Sequence, residues 1–145
     1  MFCLHKTTKL ISVKKKQDFK KVYSQGVYAA DSLFVAYALA NDFNQNRLGI
    51  TVSKKVGCAV VRNRIKRWVK ESYRFMLQQR KKSEFDLSKN TNVKPKTDGQ
   101  AIGYDFVIVA RVSSAQLIGK GAFWQVDKSI RGLFERLRKK VEFIL

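Results

Sequence analysis

A chain of 145 residues with 45% apolar composition is long enough for one domain with a core and too short to suggest two. Thirty Lys or Arg against 11 Asp or Glu leave a net charge of +19, which predicts salt-sensitive attraction to phosphates and makes nucleic acid the default partner. No run approaches the ~18 apolar residues of a membrane span. His5, Lys6 and Lys9 interrupt the apolar pieces of the N-terminus, so no signal-peptide core forms there, and Cys3 and Cys58 lie too far apart for a metal-ligand pair, which fits a reducing cytoplasm.

In chain order, Phe19, Val22 and Tyr23 at i, i+3 and i+4 predict a short helix from about Lys14 to Gln25, ended by Gly26. Leu33 to Ala40 is apolar on both alternating faces, as in a strand covered on both sides. After a turn over Asn41 to Asn46, Leu48, Ile50 and Val52 alternate with Gly49, Thr51 and Ser53, which reads as an antiparallel partner strand.

A basic helix is expected from Cys58 or Ala59 to Gln79. Residues 54–82 hold eleven Lys or Arg and one acid, Glu71. At 100° per residue, Val61, Ile65, Trp68, Val69, Ser72 and Met76 fall within about 60° of Ile65 and form a core stripe. Arg62, Arg64, Lys66, Arg67, Lys70 and Arg74 fan across the remaining face around Asn63, and such cations repel one another unless a polyanion screens them. The polar stretch 81–103, which holds the only proline, Pro95, reads as a mobile loop, and its length makes it either an insertion or a weak helical extension. Tyr104 to Arg111 is a near-continuous run expected of a central strand, and Val126, Ile130, Leu133, Phe134, Leu137, Val141 and Ile144 fit a long C-terminal helix. The pattern is α+β, with helices covering a small mixed sheet in a single domain over residues 1–145. A strand-helix-strand passage through the basic helix is right-handed by default.

Catalytic groups are scarce. His5, the only histidine, sits in a terminus where a Ser-His-Asp or Cys-His mechanism has no credible base. Cys58 reads as a small half-buried side chain or as a thiol activated by a helix N-terminus. Glu84 and Asp86 form a close carboxylate pair without a third convergent ligand. Lys54 and Lys55 precede Val56-Gly57 in a phosphate-contacting type of turn that lacks the Walker glycine pattern. Phe19, Tyr23, Phe34 and Tyr37 fit an ordinary core or a cleft that stacks on bases, with Tyr37 the best cleft candidate because its hydroxyl needs a partner or water.

Val61-Arg62-Asn63-Arg64-Ile65-Lys66-Arg67, preceded by Arg47-Leu48-Gly49-Ile50-Thr51-Val52-Ser53-Lys54-Lys55-Val56-Gly57, resembles the signature of the bacterial ribonuclease P protein subunit. The resemblance continues through Asp18-Phe19 with Val22-Tyr23, through Phe34-Val35-Ala36-Tyr37 and through Asp105-Phe106-Val107-Ile108-Val109-Ala110-Arg111, in the family's order. Cys58 departs from the family's usual Asn, and the 81–103 segment is longer than in many members.

The resemblance implies a two-layer α/β sandwich with a left-handed β-α-β crossover, overriding the default handedness. It implies a protein that is inactive alone and joins a catalytic RNA, the complex removing the 5′ leader of precursor tRNA with Mg²⁺ bound mainly by the RNA. The implied partners are that RNA and precursor tRNA, with no membrane and no obligate protein partner. Carried onto this chain, Arg62, Asn63, Arg64, Lys66, Arg67, Lys70 and Arg74 would contact the catalytic RNA. Phe19, Tyr23 and Tyr37 would line a leader cleft, with Lys54 and Lys55 near its edge. A ribosomal or RNA-assembly protein without a role in cleavage is the alternative that composition leaves open.

Overall fold

The computed structural model describes residues 9–90, 102–117, 119 and 121–141, with the side chains of 81–90 left out of the description. Cys3, His5, Pro95 and Ile144 lie outside the described residues, as do the side chains of Glu84 and Asp86. The elements are β1 (Ile11–Ser12), α1 (Lys16–Gln25), β2 (Val27–Ala30), β3 (Phe34–Asn41), β4 (Arg47–Val52), α2 (Ala59–Asn90), β5 (Gly103–Ala110) and α3 (Ala122–Val141). Short 3₁₀ turns at Lys54–Val56 and Val112–Gln116 follow β4 and β5.

The five strands form one mixed sheet in the order β1-β4-β5-β3-β2. Its centre is β5, the strand with apolar side chains on both faces, flanked by β4 in parallel and β3 in antiparallel pairing. Here the sequence expectation of a β3–β4 hairpin is corrected: the two strands do not pair, because β5 lies between them. A doubly apolar strand gains most when both neighbours shield it from water, and this outweighs local pairing across the turn. The turn passes over the start of β5, where Asn46 Oδ1 accepts from the Tyr104 amide at 3.0 Å. A Cβ on Gly103 would lie 2.5 Å from both Asn41 Oδ1 and the Gln45 nitrogen, so this crossing requires a glycine.

For 81–103 the loop reading is corrected over its first part, where the helical extension holds. The α2 helix runs on to Asn90, since no Gly or Pro interrupts it, and residues 91–101 lie outside the described residues. The short strands β1 and β2 went unread in the sequence because neither is long enough to show a period.

Helices α2 and α3 cover one face of the sheet. Phe34, Ala36 and Ala38 of β3, Leu48 of β4 and Phe106 and Ile108 of β5 meet Ile65, Val69 and Met76 of α2 and Val126, Ile130, Leu133, Phe134 and Leu137 of α3 in one buried cluster. Ser72, also on the stripe, is fully buried and donates to Asp127 Oδ1 at 2.8 Å, tying α2 to α3. Tyr73 lies about 80° from Ile65 and outside the predicted stripe, yet it is buried, its ring 5.7 Å from Phe134 and 6.4 Å from Phe106. A helix packed against both a sheet and another helix buries a wider arc than one facing a single layer.

Helix α1 packs against β3 and β5 from the opposite face, with Val22 and Val107 fully buried. One ion network holds it there. Arg47 donates from Nε to Asp105 Oδ1 at 2.7 Å and from Nη2 to Oδ2 at 2.5 Å, while Nη1 reaches Asp18 Oδ2 of α1 at 3.3 Å. The Arg47 and Asp105 side chains are only 14% and 7% exposed. The hydrogen bond from Arg47 to Asp105 is the main cause of a raised Arg47 pKa, which keeps the guanidinium charged.

Stability is expected to respond in two ways. Arg47→Met leaves the buried Asp105 carboxylate with no cation and only the Asn41 Nδ2 donor at 2.7 Å, and is expected to lower unfolding free energy in urea by about 3 kcal/mol, with loss of α1 docking seen as faster amide exchange in residues 16–25. Tyr73→Phe is expected to stabilise by about 1 kcal/mol, because the Tyr73 hydroxyl is buried with no hydrogen-bond partner among the described residues and its burial raises the pKa. Equal or lower stability of Tyr73→Phe in the same titration would show that the hydroxyl is satisfied.

Candidate nucleic-acid interface

The α2 surface away from the core carries the predicted cations in two groups. Asn63, Arg64, Arg67 and Lys70 are exposed, and Lys54 and Lys55 are exposed in the 3₁₀ turn ahead of the helix. Arg62, Lys66 and Arg74 are half-buried. Arg62 Nη1 donates to the Gly57 carbonyl at 2.8 Å, and Arg74 Nη1 meets Glu71 Oε1 at 2.5 Å. So Arg74 is partly neutralised by Glu71, the one acid of the stretch, which the sequence reading of Arg74 as one of a set of mutually repelling cations did not foresee. Trp68 is half-buried against the core, with the Arg64 guanidinium 6.0 Å from its ring centroid.

The turn into α2 depends on Gly57, at φ 157° and ψ −170°, a region that essentially only glycine adopts. Directly after it, Cys58 is exposed, correcting the half-buried reading. Backbone N–H groups of Val61 and then Val60 lower its thiol pKa, the usual effect of a helix N-terminus on a thiolate.

The opposite face of the sheet gathers the aromatic residues. Phe19 and Tyr23 of α1 have ring centroids 6.4 Å apart, and Tyr23 meets Tyr37 of β3 edge-on at 5.2 Å. The Tyr23 hydroxyl and Thr51 Oγ1 are 3.0 Å apart. Gly49 makes room for the Phe19 ring, since a Cβ there would lie 2.8 Å from it. Tyr23 is 40% exposed, while Phe19 and Tyr37 are half-buried. Phe34 belongs to the core, fully buried on the α2–α3 side. β3 alternation thus separates the two roles that the sequence left open: even positions face the core and Tyr37 faces the cleft.

A cavity of about 590 Å³ at the β1–β4 edge joins the two groups, lined by Phe19 and Gly49 on one side and by Lys66, Lys70 and Arg74 on the other. This continuity was not legible in the sequence, because α1 and α2 lie on opposite faces and meet only where β1 leaves much of the β4 edge open. Tyr28 was also missed. It stands opposite Tyr37 in the β2–β3 register, with its ring 5.8 Å away, and no sequence signal marked it, because the four residues of β2 show no period. Among the described residues, no three His, Cys, Asp or Glu side chains converge as metal ligands, and no helix is long and apolar enough to cross a membrane.

Residues 7–138 match the family profile described as Ribonuclease P. The chain belongs to the ribonuclease P protein family. It is 40% identical over 124 residues to a ribonuclease P protein component of Clostridioides difficile, covering 86% of this chain and 89% of that protein. A ribonuclease P protein component of Caldanaerobacter subterraneus is 37% identical over 128 residues, covering 88% of this chain and 90% of the relative. The Staphylococcus aureus RNase P protein superposes with a TM-score of 0.62 at 28% identity over 88% of this chain and 95% of that one. For the RNase P protein of Thermotoga maritima the TM-score is 0.59 at 26% identity, covering 86% and 96%. The α+β fold of three helices on a five-stranded mixed sheet is the family's fold. The chain's role is that of the protein component of this tRNA-processing ribonucleoprotein enzyme, with an RNA partner inside the ribonucleoprotein.

The exposed thiol gives a local test of the α2 N-terminus. Alkylation of Cys58 by iodoacetamide is expected to titrate with a midpoint below the usual thiol range of about 8.5, because the deprotonated form is the one the backbone N–H groups favour. A midpoint above that range would place the thiol away from the helix end.

Proposed function

We propose that the exposed α2 cations seat the catalytic RNA of ribonuclease P while the aromatic cleft takes the 5′ leader of precursor tRNA. The observation that carries this reading is the continuous cavity in which Phe19 meets Lys66, Lys70 and Arg74, so that one RNA strand in the cleft lies beside phosphates bound to the helix. Arg64, Arg67 and Lys70, exposed with no acid between them, supply the phosphate neutralisation, and Asn63 adds a side chain that both donates and accepts hydrogen bonds. Arg62 and Arg74, tied to the Gly57 carbonyl and to Glu71, act more as fixed donors than as free charges. Lys54 and Lys55 extend the positive surface ahead of α2.

Tyr37 and Phe19 offer ring faces and edges that tolerate every base, which suits an enzyme that meets many leader sequences. Tyr23 is oriented by Thr51 and braces Tyr37 edge-on. Hydrolysis of the phosphodiester is assigned to the RNA with its Mg²⁺, which activates water and stabilises the leaving oxygen when bound. The described side chains do not assemble a carboxylate set for that ion. The part of the chain is electrostatic: cations that neutralise crowded phosphates let RNA segments approach with less Mg²⁺ in bulk solution. Assembly and action in the cytoplasm belong to the same reading.

Reconstitution tests the division of labour. Protein alone is expected to leave precursor tRNA intact, and protein with the catalytic RNA to remove the leader at lower Mg²⁺ than the RNA alone; cleavage by RNA-free protein would overturn it. An unchanged Mg²⁺ requirement would favour an RNA-binding protein outside the cleavage reaction. Combined Arg64→Ala, Arg67→Ala and Lys70→Ala is expected to lower the log-log salt slope for catalytic RNA binding by roughly 2 to 3, since each cation removed leaves one phosphate with its counterions, and to leave the melting temperature unchanged. Tyr37→Ala is expected to weaken precursor tRNA binding by roughly 1 to 3 kcal/mol and leave mature tRNA binding alone. Equal losses for precursor and mature tRNA would instead mark Tyr37 as a packing residue.

A further inference from the structure

Beyond Tyr37 the aromatic face does not stop. Tyr28 of the edge strand β2 continues the line Phe19, Tyr23, Tyr37, its ring 5.8 Å from Tyr37 and 57% exposed. The Lys140 ammonium of α3 lies 5.5 Å from the Tyr28 ring centroid and donates to the Tyr28 carbonyl at 2.7 Å. Arg136 Nη1 donates to the Ala30 carbonyl at 3.0 Å. With Lys139 they border a hollow of about 370 Å³ along β2.

These hydrogen bonds occupy the Tyr28 and Ala30 carbonyls on the outer edge of β2 and leave the Tyr28 ring exposed. Lys140 keeps further N–H donors beyond the one given to the carbonyl. The pairing of an exposed ring with an adjacent ammonium is a platform for a base and its phosphate, the combination by which single strands are held without sequence preference. Exposed tyrosine alone is common on surfaces; a tyrosine in register with a cleft aromatic and next to a cation cluster is a more specific arrangement.

We infer that Tyr28 and Lys140 extend the cleft by a further nucleotide subsite for single-stranded RNA at the β2 edge, taken by the part of the leader farthest from the cleavage site. The inference rests on the leader reading above. The polarity belongs to that same reading: Phe19 shares a cavity with the α2 cations assigned there to the catalytic RNA, so Tyr28, at the other end of the aromatic line, receives the distal nucleotides. Leader length then becomes a determinant of affinity, because only a long leader reaches the β2 edge.

The test uses the assembled ribonucleoprotein with its catalytic RNA, and three ligands: precursor tRNA with a leader of about two nucleotides, precursor with about ten, and mature tRNA. Tyr28→Ala is expected to weaken binding of the long-leader precursor about fivefold or more, with no change for the other two, while Tyr28→Phe retains parent affinity. Lys140→Gln is expected to lower the salt slope for the long-leader precursor by about 0.7, one single-strand phosphate. If Tyr28→Ala changes nothing while Tyr37→Ala still separates precursor from mature tRNA, the extension is overturned and the leader cleft stands. If neither variant separates them, the leader reading falls and the extension with it. Losses that are equal for all three ligands, a lower melting temperature, or weaker capture of the catalytic RNA itself would each assign Tyr28 to another role and overturn the inference.

Discussion

Arg47 is the residue on which the arrangement turns. Its guanidinium is held by Asp105 of the central strand and Asp18 of α1, so a single side chain on β4 joins both strands of the parallel pair to the helix on the far face. The planar fork suits this task as an ammonium could not, since it presents two parallel donors to one carboxylate and a third to another. Without that tie, α1 would rest on the sheet through a small apolar patch around Val22 and Phe19. The aromatic cleft exists because α1 is fixed, and it is fixed by a charge cluster at one end of the sheet.

The chain uses its positive charge in two ways. Some cations are paired with acids inside the protein, Arg47 in the network just described and Arg131 on Asp127 of its own helix, while Arg136 and Lys140 donate to edge carbonyls of β2 and keep their charge. Others, chiefly Arg64, Arg67 and Lys70, are left facing solvent on one helix face. The distinction has a physical basis in the supply of acids. With 11 acids for 30 cations, most positive charge cannot be paired internally, and the fold directs the remainder outward. Burial of Asp127 with Ser72 and Arg131 as partners shows the same economy on the α2–α3 seam.

The sheet separates structure from recognition by alternation. On β3, Phe34, Ala36 and Ala38 enter the core and Tyr37 faces the cleft; on β4, Leu48 enters the core while Gly49 and Thr51 serve Phe19 and Tyr23. A one-residue slip of either strand would exchange these sets and place Tyr37 under α3. Helices α2 and α3 make such a slip costly, because their packing surface is made of side chains from every strand they cross.

The amphipathic period of α2, the alternation in β3 and β4 and the doubly apolar run of β5 were legible in the sequence, because each is a local pattern that burial imposes on neighbouring residues. So were the cations of α2 and the family signature, which lie in one continuous stretch. What the tertiary structure decided is which elements meet. β5 inserts between β3 and β4 because it has two faces to cover, and Tyr73 is buried because α3 crowds the helix from a second side. The union of Phe19 with Lys66, Lys70 and Arg74, and of Tyr28 with Lys140, joins residues far apart in the chain. No local period records such a meeting, since it is set by strand order and by the edges at which helices on opposite faces come within reach.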